Sequence, residues 1–249
     1  MPYARLIDLF EARAAECVTD RQLRRLLEEI TGELGFQYFA LLHHASLRSG
    51  GAPFIRIDNY PEGWVDELLG RHPMLDDPVH LASARTNIGF AWAELDRLIT
   101  LANHHRHILR RSGRFGLGEG FTVPANVPGE PCGSCSFAMR RGLDLPLQRL
   151  MCAELIGAHA FRAARRIHDY PAAGVHPQLS PRERQVLHLL AAGKTDWEIG
   201  KILGISVETA HQYVKRARSA YDVVSRTQLV VHGLRDAWIS FDDAIPPNG

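Results

Sequence analysis

The stretch LSPRERQVLHLLAAGKTDWEIGKILGISVETAHQYVKRARSAY, residues 179–221, decides the fold of the chain's last part because it contains three helix-start signals. Each signal is a Ser or Thr that precedes a run with helical spacing of apolar residues, and in two of them Glu follows three residues later, as in a capping box. SRTQ, residues 225–228, adds a fourth signal. The predicted N-caps are Ser180, Thr195, Ser206 and Ser225. Four short capped helices predict a small bundle, and the tight turn before Ser206 has helix-turn-helix spacing.

The third helix of this bundle has two chemically different faces. Spacings of three and four predict that its apolar residues face the bundle: Val207, Ala210, Val214, Ala217 and Tyr221. The opposite face carries four candidate DNA contacts: His211, Gln212, Lys215 and Arg218. A helix that presents Lys, Arg and Gln side chains can enter the major groove and contact base edges. Residues 179–241 hold nine Lys and Arg against six Asp and Glu, whereas the whole chain carries a net charge of only +1.

The sequence from residue 179 to residue 241 resembles the LuxR-type helix-turn-helix. The shared features are an opening Pro-Arg-Glu, a Gly-Lys-Thr turn, a Leu-x-Ile-Ser turn and a late Arg-Thr. The resemblance implies that His211, Gln212 and Lys215 occupy the base-reading positions. His211 departs from the pattern, because the family most often has Lys or Arg there. This departure changes the expected target sequence and leaves the expected DNA binding intact.

Residues ahead of this unit predict a different architecture. The segment HDYPAAGVHPQ, residues 168–178, breaks the preceding helix and is typical of a linker. Upstream, two helical segments, a strand pair around RSGGAP, short helices, a second strand pair joined by PGEP and a helix over 145–167 follow in order. This order predicts an α+β protein, with an N-terminal α/β/α sandwich around an antiparallel sheet and a C-terminal all-α four-helix helix-turn-helix domain. The predicted domains are residues 1–168 and 179–249, with a linker over 169–178.

The stretch NYPEGWVDELLGRHPMLDDPVHLASARTNIGFAW, residues 59–92, resembles the signature of the autoinducer-binding domain of quorum-sensing regulators. FGLGEGFTVP and GSCSFA resemble the later strands of that domain. The resemblance implies that an N-acyl-homoserine lactone is the signal. The implied ligand-binding residues are Tyr60, Trp64, Leu68, Asp77, Trp92 and Ser136.

The chemistry of such a ligand suits these side chains, since a buried site must pair each polar group of its ligand. Trp64 is expected to donate to the lactone carbonyl, and Asp77 to accept the amide proton. Tyr60 and Ser136 are expected to donate to the acyl carbonyl, and Trp92 to form the floor beneath the lactone. Without the resemblance, the two tryptophans would be interpreted as core aromatics and Asp77 as a helix N-cap.

One ligand position departs from the family. Leu68 stands where the family usually has a Tyr, so the pocket loses a ring and a hydroxyl beside the acyl chain. This departure leaves the acyl chain unspecified and allows a branched, aryl or non-lactone signal. Two alternatives therefore remain open: a solo receptor that answers a non-lactone or exogenous signal, and a regulator whose N-terminal domain is a protein-interaction module.

Other functional classes receive little support from the sequence. A phosphorylatable receiver would need an acidic cluster after its first strand, and LDDPV follows a helix instead. CGSC at 132–135 opens a strand, HHRH at 104–107 lacks a spaced carboxylate or cysteine, and GLGEG lacks the Lys of a phosphate loop. We therefore expect no catalytic residues, no metal site and no cofactor beyond the small-molecule signal. An enzyme fused to a DNA-binding tail is the remaining alternative.

The implied partners are double-stranded operator DNA, the autoinducer, a second copy of the chain and RNA polymerase, with no membrane. Two half-sites one helical turn apart require a symmetric dimer. The candidate dimer surface is the helix at 145–167, with Leu147, Leu150, Met151, Leu155, Ala158 and Phe161. The N-terminus lacks a secretory pattern and no run of eighteen apolar residues occurs, so a cytoplasmic location is expected.

Overall fold

A computed structural model describes residues 3–44, 54–64, 77–127, 130–170 and 177–245. The chain divides into two compact units, the first formed by residues 1–127 and 131–170 and the second mainly by residues 171–249. Of the predicted linker, residues 171–176 lie outside the described residues.

The sheet of the first unit has five antiparallel strands in the order β2-β1-β5-β4-β3. Their bounds are β1 Tyr38–His43, β2 Arg56–Asp58, β3 Phe90–Ala91, β4 Leu117–Ala125 and β5 Gly133–Arg140. The pairing of β1 with β5 sets Ala40 opposite Ser136, and the pairing of β4 with β5 sets Thr122 opposite the same Ser136. Side chains at directly opposite positions share a face of the sheet, so these three residues form one row across it.

Helices cover both faces of this sheet. Their bounds are α1 Tyr3–Glu16, α2 Asp20–Glu33, α3 Pro78–Ser83, α4 Leu95–Leu98, α5 Asn103–Ser112 and α6 Leu150–Ile167. One face packs against α1, α2 and α6 through a large apolar core that includes Phe10, Leu27, Phe137 and Ile156. Two smaller apolar clusters lie on the other side, around Trp64 and around Val79 and Leu95. The predicted α/β/α sandwich is confirmed.

The second unit is helical, as predicted. Its helices are α7 Pro181–Ala191, α8 Asp196–Leu203, α9 Val207–Ala220, α10 Arg226–Arg235 and a short α11 Phe241–Ala244 that the sequence analysis did not anticipate. The four predicted N-caps hold: the side chains of Ser180, Thr195, Ser206 and Ser225 each accept a hydrogen bond from the backbone N–H three residues later. Gly204 has a φ of 66° after α8, a conformation that favours glycine, and this lets the chain turn into α9.

One prediction for the faces of α9 is wrong. Ala210, Val214, Ala217 and Tyr221 are buried in the bundle core as expected, whereas Val207 is 46% exposed. Val207 is the first residue of its helix, and the bundle begins to cover α9 only with Ala210. No helix in the described ranges combines the length and apolar character needed to cross a bilayer.

Candidate ligand and DNA sites

A cavity lies in the first unit, against the sheet face that carries Ala40 and Ser136. The space between its walls amounts to about 660 Å³, including the part that opens to solvent. Strands β1, β2 and β5 contribute one wall, and α3 and α5 contribute others. The cavity brings together Tyr60, Trp64, Asp77, Trp92 and Ser136, five of the six predicted ligand residues. The sixth, Leu68, lies outside the described residues.

Hydroxyl groups form a connected row at one end of this cavity. Trp92 Nε1 donates to Thr122 Oγ1 at 2.9 Å, and Thr122 Oγ1 lies 2.8 Å from Ser136 Oγ. The phenol of Tyr60 lies near Ser136. Burial raises the pKa of Tyr60 well above its ordinary value, the nearby Asp77 carboxylate raises it further, and the Ser136 hydroxyl only partly offsets this. Tyr60 therefore remains a neutral phenol that can donate a hydrogen bond.

Glycine determines where the ring of Trp92 can lie. Trp92 begins a 3-10 helix directly after β3, and β3 pairs with β4. A Cβ built on Gly120 of β4 would lie 2.4 Å from the Trp92 ring, closer than any side chain tolerates. The absence of a side chain at Gly120 thus lets the indole lie against the strand with its N–H within reach of Thr122.

Asp77 has two roles in the structure. It is the N-cap of α3, where its Oδ1 accepts a hydrogen bond from the backbone N–H of Val79 at 2.8 Å, and it also lines the cavity. It is only 7% exposed. An ionised carboxylate has about four acceptor positions, so the cap leaves capacity for a ligand N–H. The interpretation as a cap and the interpretation as a ligand residue are therefore compatible.

Trp64 is buried beside the hydroxyl row. Its ring packs on Phe115, with centroids 5.5 Å apart, and contacts Ile108 and Leu117. This packing fixes the ring at the cavity wall while the core interpretation of Trp64 also holds. One of the predicted short helices begins at PEGW, residues 61–64, and its continuation over 65–71 lies outside the described residues.

Sequence reasoning missed three polar residues near the cavity. Thr122 is fully buried and connects Trp92 with Ser136. His80 lines the cavity and stacks on His44, with centroids 4.0 Å apart. His44 Nε2 lies 2.9 Å from Ser134 Oγ, and burial, followed by the nearby His80 and His43, lowers the pKa of His44 well below its ordinary value. Alternation within EGFTVPANV could have placed Thr122 on the Ser136 face, but only with the register of the two strands in hand.

The predicted DNA residues differ in their surroundings. His211, Gln212 and Lys215 are exposed on α9. Gln212 Nε2 donates to Glu208 Oε1 on the same helix at 3.1 Å. Arg218 is partly buried, and its Nη1 donates to the carbonyl of Val224 at 2.6 Å, so it holds the turn that leads to α10. The structure thus shows Arg218 in a packing contact that sequence reasoning did not foresee.

His211 contacts a carboxylate of a neighbouring helix, which is itself bonded by an arginine of a third helix. Its Nδ1 lies 3.0 Å from Asp196 Oδ2, and Asp196 is the first residue of α8. The other carboxylate oxygen, Oδ1, accepts a hydrogen bond from Arg226 of α10. Asp196 therefore connects α8, α9 and α10 at the exposed surface of α9.

The outer face of α6 carries part of the predicted dimer surface. Leu147, in the 3-10 turn that leads into α6, is 72% exposed. On α6 itself Met151 is 82% exposed, and Leu155 and Ala158 continue the same stripe one and two turns later. Leu150 is only partly exposed. The inclusion of Phe161 is wrong, because it is buried in the core and its ring packs 5.2 Å from that of His43.

The CGSC motif leads into β5 and the HHRH motif lies in α5, and neither position gives its side chains special reactivity. Cys135 lies buried in β5, where burial raises the pKa of its thiol, so it is a poor nucleophile. All four cysteines are free. His104 and His107 lie on exposed positions of α5. Within the described ranges no three His, Cys, Asp or Glu side chains group as metal ligands.

Comparison with known families and structures agrees with this geometry. Residues 19–166 match the family model of the autoinducer binding domain, and residues 177–232 match that of the luxR family of bacterial regulatory proteins. The transcriptional activator protein CarR of Pectobacterium carotovorum is 26% identical over 223 residues, which cover 85% of this chain and 88% of CarR. The quorum sensing-dependent transcriptional regulator RpaR of Rhodopseudomonas palustris is 28% identical over 211 residues, 83% of this chain and 84% of RpaR. SdiA of Escherichia coli, solved in complex with octanoyl-rac-glycerol, shares the fold with a TM-score of 0.66 at 21% identity, covering 95% of this chain and 96% of SdiA.

Proposed function

The chain belongs to the LuxR family of bacterial regulatory proteins with an autoinducer binding domain, and from that premise we propose that its signal is an N-acyl-homoserine lactone held in the cavity of the first unit. Membership of this family makes it a signal-responsive, DNA-binding transcription regulator in quorum sensing. The observation that carries the proposal is the row of Trp92, Thr122, Ser136 and Tyr60 beside the Asp77 carboxylate, in which Thr122 and Ser136 are buried.

Each polar group of a lactone finds a partner in this arrangement. Trp64 donates its indole N–H to the ring carbonyl, and Asp77 accepts the amide proton with the acceptor capacity that the α3 cap leaves. Tyr60 and Ser136 donate hydroxyl protons to the acyl carbonyl. Trp92 lies beneath the lactone ring with its own N–H already bonded to Thr122. A ligand group left without a partner in such a site costs about 1–3 kcal/mol, so the matched set selects for an amide-bearing lactone.

Binding of the signal is expected to stabilise the first unit. A ligand that binds only the folded state raises the free energy of unfolding by mass action, by about 2.7 kcal/mol at a hundredfold excess over its Kd. Through this gain, occupancy favours the folded receptor that dimerises and binds DNA. The opposite arrangement, in which ligand releases an apo form from DNA, uses the same cavity.

Mass spectrometry of the molecule that co-purifies with the chain tests the proposal. The chain is expressed in a host without lactones, and a mixture of N-acyl-homoserine lactones and octanoyl-glycerol is added to the culture. We expect one lactone to be retained by the wild-type chain and much less by Asp77→Ala expressed in parallel. Asp8→Ala, on the exposed surface of α1, is the matched control and should retain the wild-type amount. Retention of no lactone would contradict the proposal.

A non-lactone signal is the second candidate. SdiA, which shares this fold, was solved with octanoyl-rac-glycerol, a molecule without a lactone ring. Leu68 in place of the usual Tyr favours the same alternative, because the wall beside the acyl chain loses a hydroxyl. Recovery of octanoyl-glycerol instead of a lactone would support it. The cavity itself argues against a pure protein-interaction module.

The chain is proposed to bind operator DNA as a homodimer and to act on RNA polymerase there. The exposed stripe of Leu147, Met151, Leu155 and Ala158 supports pairing through α6, since two such stripes bury one another. Met151→Lys should convert the dimer to monomers in analytical ultracentrifugation, whereas Val18→Lys, at another exposed apolar residue, should leave it intact. Dimerisation that survives Met151→Lys would refute this surface.

Lys215 is proposed as a direct DNA contact. Lys215→Ala should weaken binding to DNA in electrophoretic mobility assays while lactone retention stays unchanged. If Lys215 contacts a phosphate, the slope of log affinity against log salt falls by about 1. Arg182→Ala, an exposed cation on α7, serves as the control for the change in net charge. Equal losses from both variants would contradict a specific contact by Lys215.

A further inference from the structure

The surroundings of His211 set which hydrogen-bonding role it offers to DNA. A neutral imidazole has one nitrogen that donates and one that accepts, and its neighbours decide which is which. Asp196 Oδ2 lies 3.0 Å from His211 Nδ1, and Asp196 Oδ1 is bonded by the Arg226 guanidinium. A carboxylate only accepts, so the proton of the His211 ring must be on Nδ1.

The remaining nitrogen of His211 is the one available to DNA. The His211 side chain is 51% exposed, whereas the Asp196 side chain is 17% exposed. The contact between them occupies Nδ1, so the lone pair of Nε2 on this exposed ring can accept a hydrogen bond from a base. Arg226 and Asp196 belong to other helices than His211, so this orientation is held from outside α9. Gln212, by contrast, is paired only with Glu208 of its own helix.

We propose that Asp196, itself positioned by Arg226, makes His211 a hydrogen-bond acceptor that selects an adenine or a cytosine amino group in the operator. The inference rests on the DNA binding of the second unit and specifies what α9 recognises there. In the major groove the amino groups of adenine and cytosine donate, whereas guanine N7 and O6, adenine N7 and thymine O4 accept, so an acceptor side chain excludes guanine and thymine. A Lys or Arg at this position would favour guanine, so the acceptor role reverses the preference that a cation gives.

Asp196→Asn gives a sharp prediction because Arg226 orients the new amide. Arg226 donates, so the Asn oxygen faces Arg226 and the Asn amino group faces His211. That amino group donates to Nδ1, and the imidazole proton moves to Nε2. His211 then becomes a donor. It can no longer pair with cytosine, and it can pair with guanine or thymine, while adenine remains open to it through N7. Asp196 acts here as a positioning residue, since only His211 contacts the base.

Selection from a library of random double-stranded DNA tests the base preference. The full-length chain is used, together with the lactone it retains, at about pH 8, where histidine side chains are mostly neutral. We expect wild type to enrich adenine or cytosine at one position of each half-site by roughly 2- to 10-fold, the size of one hydrogen bond. Asp196→Asn should exclude cytosine and admit guanine or thymine at that position, and His211→Ala should remove the preference. Asp243→Asn makes the same substitution at the partner of His188 and should leave the preference unchanged.

Nitrogen-15 NMR of the histidine side chains shows, without DNA, which ring nitrogen of His211 carries the proton. His211→Ala identifies the His211 signals among the 13 histidines. We expect a protonated Nδ1 in wild type and a protonated Nε2 in Asp196→Asn. A wild-type ring protonated at Nε2, or a folded Asp196→Asn chain that still excludes guanine and thymine, would overturn the inference. If wild type enriches no sequence, DNA reading itself fails, and the tautomer measured by NMR alone decides whether Asp196 positions His211.

Discussion

Replacing Thr122 by Val should destabilise the first unit because it removes the hydroxyl that joins Trp92 to Ser136. Valine has nearly the same shape as threonine, and Thr122 is fully buried, so the packing around residue 122 stays almost constant. The hydroxyl makes two hydrogen bonds, of 2.9 Å from Trp92 Nε1 and 2.8 Å to Ser136 Oγ. Without that hydroxyl, the Trp92 N–H has no acceptor left in this row.

The magnitude follows from one donor left unsatisfied, which costs about 1–3 kcal/mol of unfolding free energy. In a unit of this size such a loss lowers the melting temperature by roughly 2–10 °C. Thr31→Val is the matched control, because Thr31 is also buried but its Oγ1 has no hydrogen-bond partner among the described residues. Removing the Thr31 hydroxyl should leave stability unchanged or raise it by up to about 1 kcal/mol.

The assay is a double-mutant cycle followed by circular dichroism during urea unfolding. In a Trp92→Phe background the donor is already absent, so Thr122→Val should cost less than about 1 kcal/mol. The difference between the two backgrounds gives the coupling between Trp92 and Thr122. Equal costs of Thr122→Val in both backgrounds, or equal effects of Thr122→Val and Thr31→Val, would refute the assignment of Thr122 as the link in the row.

Two further predictions concern the walls of the cavity. Gly120→Ala should place a methyl group against the Trp92 ring, lower the free energy of unfolding by about 1–3 kcal/mol in urea and reduce lactone retention. Gly32→Ala in α2, where a Cβ meets nothing within 4 Å, should change neither quantity. Equal effects of the two substitutions would contradict the close approach at Gly120. Burial and the nearby His80 and His43 hold the pKa of His44 below its unfolded value near 6.5. As pH falls, the unfolded state therefore binds this proton before the folded state does. The free energy of unfolding should decrease below about pH 6.5, by up to about 1.4 kcal/mol per pH unit. His44→Gln should flatten this dependence in thermal melts between about pH 6.5 and 5.5, while the exposed His104→Gln should leave the slope as it is.

Local signals in the sequence predicted the helices well because each signal acts within a few residues. The boxes of Ser180 with Glu183 and of Thr195 with Glu198 begin α7 and α8 as predicted. β3 was missed because a strand of two residues is too short to show alternation. Phe161 was misplaced because apolar spacing marks a helix without showing which apolar residues a neighbouring sheet covers.

Contacts between distant residues account for most of what sequence reasoning did not find. The bond from Trp92 to Thr122 depends on β3 lying beside β4, and the pair of Thr122 with Ser136 depends on the register of β4 with β5. His211 and Asp196 are fifteen residues apart on different helices, so their contact follows from the bundle geometry. The resemblance identified candidate ligand residues, and the structure supplied the partners that orient them.

Calorimetric titration of the chain with the lactone it retains measures whether the cavity of the first unit pairs the polar groups of its signal. The ring-opened acyl-homoserine is the matched ligand, and Asp77→Ala is the matched chain. We expect one site per chain, at least tenfold weaker binding of the ring-opened compound, whose new carboxylate must lose its hydration to enter the cavity, and a loss of roughly 10- to 100-fold in affinity for Asp77→Ala. Equal affinity for the two compounds, or an Asp77→Ala chain that binds the lactone as tightly as wild type, would contradict the claim that the cavity pairs each polar group of the signal.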